Sequence, residues 1–377
     1  MIQPGATLGL LGGGQLGRMF TQAAQRMGFE VVVLDPDPES PAGRLASRHI
    51  RAGYTDRQAL TELGRSVQAV TTEFENVPAE SLAFLREHCP VRPGAEAVQL
   101  TQDRIVEKTF ANAQGLATAP FAAIRSEEDC VVALRTINPP AILKTARLGY
   151  DGKGQAPVET EGQLIEAFRG FGTQPCILEA RQRLDLEISV VLARGGDGAI
   201  VTFPVAENRH VNGILDTSVI PARVPETVAA QARKAASALA TAMNYVGTMA
   251  VEFFVLDGDR LLVNELAPRP HNSGHYTLDA CATDQFEQQV RAVAGLPLGD
   301  SALLKPAAMV NLLGDLWERG EPRWERALAD PAIHLHLYGK TEPRPGRKMG
   351  HLNALAATAE EALSHALAAR AALLPAS

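Results

Sequence analysis

Residues 263–272 read V-N-E-L-A-P-R-P-H-N. An apolar run, Leu261, Leu262 and Val263, leads into Asn264 and Glu265. Pro268 then breaks the strand, and Arg269, His271 and Asn272 follow. Asn and Glu at a strand end offer hard oxygen ligands, which suit Mg²⁺ and not zinc. The Arg, His and Asn just beyond suit a small anion. A second acid, Glu252, lies on another strand-like run, Met249–Leu256. One carboxylate on each of two neighbouring strands suits a clamp for the metal on a nucleotide's phosphates. Two surface acids at a hairpin are the plainer reading of the same residues.

Two glycine-rich segments carry further chemistry. Gly12-Gly13-Gly14-Gln15-Leu16-Gly17 follows a strand, opens a helix and matches GxGxxG, with Asp35 ending the next strand. By pattern this is a fingerprint for NAD(P) or FAD. The same N–H groups at a helix start suit any phosphate, and a ligand-free tight turn has the same letters. The second segment, Lys144 to Gln155, reads K-T-A-R-L-G-Y-D-G-K-G-Q and is not a Walker A loop. A glycine hairpin carrying lysine can fold over a triphosphate as a lid. Next, Cys176–Arg181 reads as a strand with free backbone edges ending in Glu179. Such an edge could pair with adenine, and Glu187 could accept from ribose hydroxyls. Lys340, Arg344, Arg347 and Lys348 crowd one loop of an acidic protein. His334 and His336 alternate on one strand face, but no third ligand of matching spacing accompanies them.

The elements that must position these groups fall into an order. Thr7–Leu11, a helical stretch and Val31–Leu34 form a βαβ unit, and residues 1–100 read as an open, Rossmann-like α/β domain. A polar helix, Ala97–Ala113, leads away. Residues 101–185 carry the strand lysine and the glycine lid. Residues 186–300 carry hairpins and the two acids, and 301–377 form a small C-terminal domain. The expected class is therefore α/β and α+β. The 377 residues exceed one ordinary core. Apolar content of 46% and charged content of 21% fit a soluble globular protein. The net charge of −7 gives no electrostatic basis for holding nucleic acid or an anionic membrane. No apolar run approaches a membrane span. Cys89, Cys130, Cys176 and Cys281 form no CxxC pair. A reducing cytoplasm fits that usage, and no signal layout opens the chain.

Taken in register, these pieces resemble the ATP-grasp superfamily and, within it, the N5-carboxyaminoimidazole ribonucleotide synthetase family of purine synthesis. The stretches that carry the resemblance are G-G-G-Q-L-G-R-M (12–19), T-T-E-F-E-N-V (71–77), Q-D-R (102–104) and the lid 144–155. To these are added N-E-L-A-P-R-P-H-N-S-G-H (264–275) and R-P-G-R-K-M-G-H-L-N (344–353). The resemblance implies an ATP-grasp fold with a pre-ATP-grasp domain, a lid subdomain and a C-terminal domain that completes the substrate site. It implies that Arg104, Lys144 and the lid (Gly149, Tyr150, Asp151, Gly152, Lys153, Gly154, Gln155) hold ATP phosphates. Glu179, Ala180, Arg181, Gln182 and Glu187 would hold adenine and ribose, with His210 and Asn264 completing the pocket. Glu252 and Glu265 would bind Mg²⁺, and Arg269, His271 and Asn272 would position bicarbonate. Gln15, Leu16, Glu73, Tyr150, Lys153, Lys340, Arg347 and Lys348 would hold aminoimidazole ribonucleotide. Asp151, His271, Arg269 and Lys340 are the candidates for catalysis, and a homodimer is expected. The rival readings are formate-dependent glycinamide ribonucleotide transformylase or biotin carboxylase, an NAD-dependent oxidoreductase, and a non-catalytic nucleotide-binding module.

Overall fold

A computed structural model describes residues 1–149 and 154–374. Its three sheets follow from three different strand patterns. Thr7–Leu11, Glu30–Leu34 and Ala69–Thr72 are buried along nearly their whole length, as strands covered on both faces must be. With Arg48–Ile50 they form a parallel sheet, with Thr7–Leu11 between Glu30–Leu34 and Ala69–Thr72. The helix Gln15–Arg26 packs Met19, Phe20 and Ala23 onto one face of this sheet. The helix Arg57–Ser66 closes the other face with Leu60 and Leu63, and Asp56 caps its N-terminus.

The second sheet is antiparallel, in the order Phe121–Ile124, Cys176–Ala180, Ala141–Thr145, Gln155–Val158. Two helices, Glu127–Ala133 and Glu161–Gly170, cover one face with Cys130, Leu164 and Phe168. Lys144 opposes Gln155, so the glycine segment closes a hairpin.

The third sheet has nine strands. Arg260–Ala267 is at one end, followed by Gly247–Leu256, Leu186–Arg194, Ala206–Val211 and Ile214–Ile220. Ala307–Leu313, Lys348–Leu355 and Ile333–Leu337 continue it, so the strands of 301–377 extend the same sheet. Ile200–Thr202 pairs with Leu186–Arg194. Ile188, Val190 and Leu192 pack on the Ala-rich helix Glu226–Ala242. Glu187 and Ser189, alternating with them, lie on the opposite face.

Three expectations change here. The polar stretch 97–113 is two helices, Ala95–Thr101 and Arg104–Ala113, because the Asp103 carboxylate accepts from Ile105 N and Val106 N and starts a new helix. Lys348 begins a strand and does not lie in a loop. The strand Cys176–Ala180, which carries Glu179, has no free edge, because it is paired on both sides. Among the described residues, no helix is long and apolar enough to cross a membrane.

Candidate active site

Glu252 and Glu265 are direct cross-strand partners. The register shifts beside them, where Glu252 opposes Glu265 but Phe253 opposes Val263. Asn264 is the extra residue of a bulge, which re-aims side chains beside it. The Asn264 amide accordingly donates to Glu252 Oε2 at 3.3 Å. Burial and the facing charge of Glu265 push the Glu252 carboxyl up to about 7. Two half-buried acids side by side with an amide oxygen are a hard-oxygen set whose repulsion a divalent cation would relieve, so these residues fit Mg²⁺. Among the described residues no group of three or more His, Cys, Asp or Glu is arranged for a metal. The remaining ligands would then be phosphate oxygens and water.

The base of the lid is tied to these acids. Arg104 Nη1 donates to Glu265 Oε2 at 2.9 Å and its Nη2 to Gly149 O at 3.2 Å. Between them opens a shallow cleft, lined by Glu75, Arg104, Glu107, Leu148, Gly149 and Glu265 among others. Gly154 accepts from Thr145 N at 2.9 Å and Gln155 is exposed beside Lys144. Tyr150, Asp151, Gly152 and Lys153 lie outside the described residues.

Lys144 is buried, and its Nζ donates to Glu179 Oε2 at 2.9 Å. Lys108 Nζ stands 3.5 Å from the same oxygen and donates to Asn264 O at 2.9 Å. Glu179 is therefore held ionised between two lysines. Burial would raise its pKa, but Lys144 and Lys108 outweigh it and the carboxyl lies below its ordinary range. The free hinge expected at this acid is corrected. Ala180 N donates to Pro120 O and Arg181 N to Pro140 O, both at 2.9 Å. Arg181 is exposed, and Gln182 Nε2 folds back onto Ala180 O at 3.1 Å. Glu187 Oε2 is 2.8 Å from His210 Nδ1. Burial opposes the charged imidazole, but Glu187 and Glu252 prevail and raise its pKa.

Beyond the acids, Arg269 lies against Glu75, joined through Nε and through Nη2 at 3.2 Å. Although burial works the other way, Arg269 holds the Glu75 carboxyl down to about 2. His271 Nε2 is 3.4 Å from Glu252 Oε1, and burial keeps the ring neutral, well below its ordinary range. Asn272 does not present a free amide. It exchanges two hydrogen bonds with Asn311, at 3.1 and 2.6 Å.

The first glycine loop is filled from within. Glu73 accepts from Gly14 N at 2.6 Å and from Gly17 N at 2.7 Å, and Asp35 accepts from Gly13 N at 2.7 Å. A pyrophosphate would need those donors, so the NAD reading fails on geometry. Asp35 is further committed to Tyr54 O–H at 2.6 Å. The Leu16 side chain is in the core. Lys340 Nζ reaches across to Gln15 Oε1 at 2.6 Å and to Lys348 O at 2.7 Å, which joins the C-terminal strands to this loop. Arg347 Nη1 donates to Glu342 O at 2.7 Å. His334 and His336 both contact Asp279, His334 at 3.4 Å and His336 at 2.8 Å.

Glu75, Glu107 and Lys108 escaped the sequence reading. Arg104, Glu107 and Lys108 have the i, i+3, i+4 spacing of one helix face, which was a usable signal. Glu107 is buried, accepts from Leu266 N, and is pushed up to about 8 by burial and then by Glu265.

Comparison with known proteins finds relatives over nearly the whole chain. Residues 5–102 match the ribonucleotide synthetase preATP-grasp domain, 109–286 the ATP-grasp domain, and 307–365 the phosphoribosylaminoimidazole carboxylase C-terminal domain. The N5-carboxyaminoimidazole ribonucleotide synthase of Bacillus subtilis is 45% identical, over 93% of this chain and 92% of its own. A solved N5-carboxyaminoimidazole ribonucleotide synthetase in complex with ADP superposes with a TM-score of 0.92 at 42% identity, over 98% of this chain and 97% of its own. The Aspergillus clavatus enzyme, in complex with ADP and 5-aminoimidazole ribonucleotide, gives a TM-score of 0.89 at 28% identity over 98% of each chain. With three domain models in order and relatives above 40% identity over more than nine-tenths of its length, the chain belongs to the N5-carboxyaminoimidazole ribonucleotide synthase family of ATP-grasp enzymes.

Proposed function

We propose that this chain carboxylates 5-aminoimidazole ribonucleotide to N5-carboxyaminoimidazole ribonucleotide, using ATP and bicarbonate and forming ADP and phosphate. The observation that carries it is the pairing of Glu252 with Glu265, tied through Arg104 to the lid base at Gly149. Phosphoryl transfer is mostly positioning and charge neutralisation, and this cluster has the residues for both.

On this reading Arg104, Lys144 and the lid 149–155 hold the triphosphate. Glu252 and Glu265 hold Mg²⁺, whose charge offsets that of the phosphates. Glu179, Ala180, Arg181, Gln182, Glu187, His210 and Asn264 surround the nucleoside. Glu179 acts there by fixing Lys144 and Lys108. Arg269, His271 and Asn272 border the bicarbonate. Its oxygen attacks the γ-phosphorus, ADP leaves, and the carboxyphosphate formed collapses to CO₂ and phosphate. The exocyclic amine of the imidazole then captures CO₂. Water would destroy the anhydride, which gives the lid its purpose. Asp151 or His271 handles the protons. Gln15, Leu16, Glu73, Tyr150, Lys153, Lys340, Arg347 and Lys348 border the ribonucleotide, and the contact of Lys340 with Gln15 supports that grouping. A homodimer in the cytoplasm belongs to the same reading. Four free, buried cysteines support the compartment.

The deciding assay measures ADP release from ATP and bicarbonate, with and without aminoimidazole ribonucleotide, against glycinamide ribonucleotide. Release stimulated by the aminoimidazole alone is expected. Stimulation by glycinamide ribonucleotide with formate would move the chain to the sibling ligase. Arg347→Ala is expected to raise the KM for aminoimidazole ribonucleotide about tenfold or more and to leave that for ATP within about twofold. Equal weakening of both would remove Arg347 from the ribonucleotide.

A further inference from the structure

The polar face of the large sheet carries a row of buried hydroxyl and amide groups that ends on His271. His271 Nδ1 is 2.8 Å from Ser273 Oγ, and Ser273 Oγ is 2.7 Å from Ser189 Oγ. Asn208 Nδ2 donates to Ser189 Oγ at 2.9 Å, and Ser218 Oγ donates to Asn208 Oδ1 at 2.8 Å. Ser189, Ser218 and Ser273 are wholly buried and Asn208 nearly so. Three of the four stand on adjacent strands of one sheet, and Ser189 is the cross-strand partner of Glu252. Gln285 fixes the other end of the histidine, accepting from His271 N at 2.9 Å and donating to His271 O at 2.8 Å.

The row has a direction. The backbone N–H of Ser273 also points at His271 Nδ1, at 3.3 Å. A backbone N–H can only donate, so Nδ1 must offer a lone pair. The Ser273 hydroxyl then gives its hydrogen to Nδ1, and its oxygen accepts from Ser189. The Ser189 oxygen in turn accepts from the Asn208 amide. Ser189 and Ser273 each donate once and accept once, and Nδ1 accepts from both groups of Ser273. The opposite sense would set a ring N–H against the Ser273 N–H.

We infer that Asn208, Ser189 and Ser273 form a positioning relay that locks His271 in the tautomer with its hydrogen on Nε2. His271 then presents one N–H donor toward Glu252 Oε1 and toward the anion bordered by Arg269. In that state it hydrogen-bonds an oxyanion and cannot accept a proton at Nε2, so of the two proton-handling candidates this state favours Asp151. This rests on the proposed bicarbonate role of His271. The tautomer itself rests only on hydrogen-bond geometry.

The test is long-range ¹H–¹⁵N NMR on histidine-labelled full-length protein without nucleotide or metal, with His271 assigned by its loss in His271→Ala. One tautomer, with Nδ1 unprotonated and Nε2 protonated, is expected. A protonated Nδ1 in the unaltered protein overturns the inference without any variant. In Ser189→Ala and Ser273→Ala the two nitrogen signals are expected to move toward each other. The KM for bicarbonate is expected to rise about tenfold, with that for ATP within twofold. Bicarbonate use unchanged in both, despite the altered signals, overturns the positioning role. Unchanged bicarbonate use in His271→Ala is a different failure, since it overturns the bicarbonate reading while the spectrum still reports the tautomer.

Discussion

The two glycine-rich segments look alike on paper and are opposites in space. The amides of the first, at Gly13, Gly14 and Gly17, are answered at 2.6–2.7 Å by Asp35 and Glu73 from their own domain. The second opens onto a cleft bordered by the Arg104 guanidinium and the Glu265 carboxylate. Glycine content therefore says that a backbone can come close to something, and not what that something is. One short segment serves both loops. Glu73 fills the first, while Glu75, two residues on, lines the cleft of the second and holds Arg269.

The contrast breaks most visibly at the second loop. Glu265→Gln leaves the hairpin intact and removes one of the two charges that face each other. Turnover should fall by about 10³-fold while thermal unfolding stays within a few degrees. Near-normal turnover would take the metal role away from this pair.

Glu75→Gln tests the bridging segment through pH. The folded carboxyl lies at about 2 against an ordinary 4.5. The stability it contributes is thus fully present above about 4.5 and is lost as pH falls toward 2. The variant should be less stable by about 2–3 kcal/mol in urea titrations near neutrality. The gap should narrow as pH falls from about 5 toward 3. A gap that does not depend on pH would mean that packing, and not the Arg269 pairing, was lost.

The smallest effects come from the glycines themselves. A Cβ on Gly14 would overlap the Glu73 carboxylate. Gly14→Ala should therefore cost about 2 kcal/mol. Gly154 has φ +69°, and a Cβ there would come 2.7 Å from Thr145 Oγ1. Gly154→Ala should cost about 1 kcal/mol, mainly the strain of a side chain at that φ, since the Thr145 hydroxyl can turn aside. The opposite order, read by urea unfolding, would mean that Glu73 is not seated in the first loop.

Much of this site is written locally. The acid pair is visible because Met249–Leu256 and the run to Glu265 are successive strands, and a hairpin brings such neighbours together. Lys144 is legible for the same reason, as the polar end of an apolar run. Glu187 and Ser189 alternate with Ile188 and Val190, so the polar face could have been read from period two. Glu75 on Arg269 and Lys340 on Gln15 could not, since chain folding alone joins them. The occupant of the first loop was hidden likewise, because GxGxxG does not encode the carboxylate that folds onto it. The free edge expected at Glu179 failed because Phe121–Ile124, an unremarked run, pairs there.

The unbroken nine-stranded sheet has a practical consequence. Ile214–Ile220 gives one side to Ala206–Val211 and the other to Ala307–Leu313. Deleting residues 301–377 would strip that second side and leave a bare row of peptide donors and acceptors in the middle of the protein. Such a rim is a template for other chains. A truncated protein should therefore precipitate before it could serve as a ribonucleotide-blind ATPase, and the acceptor half must be disabled by point substitution instead.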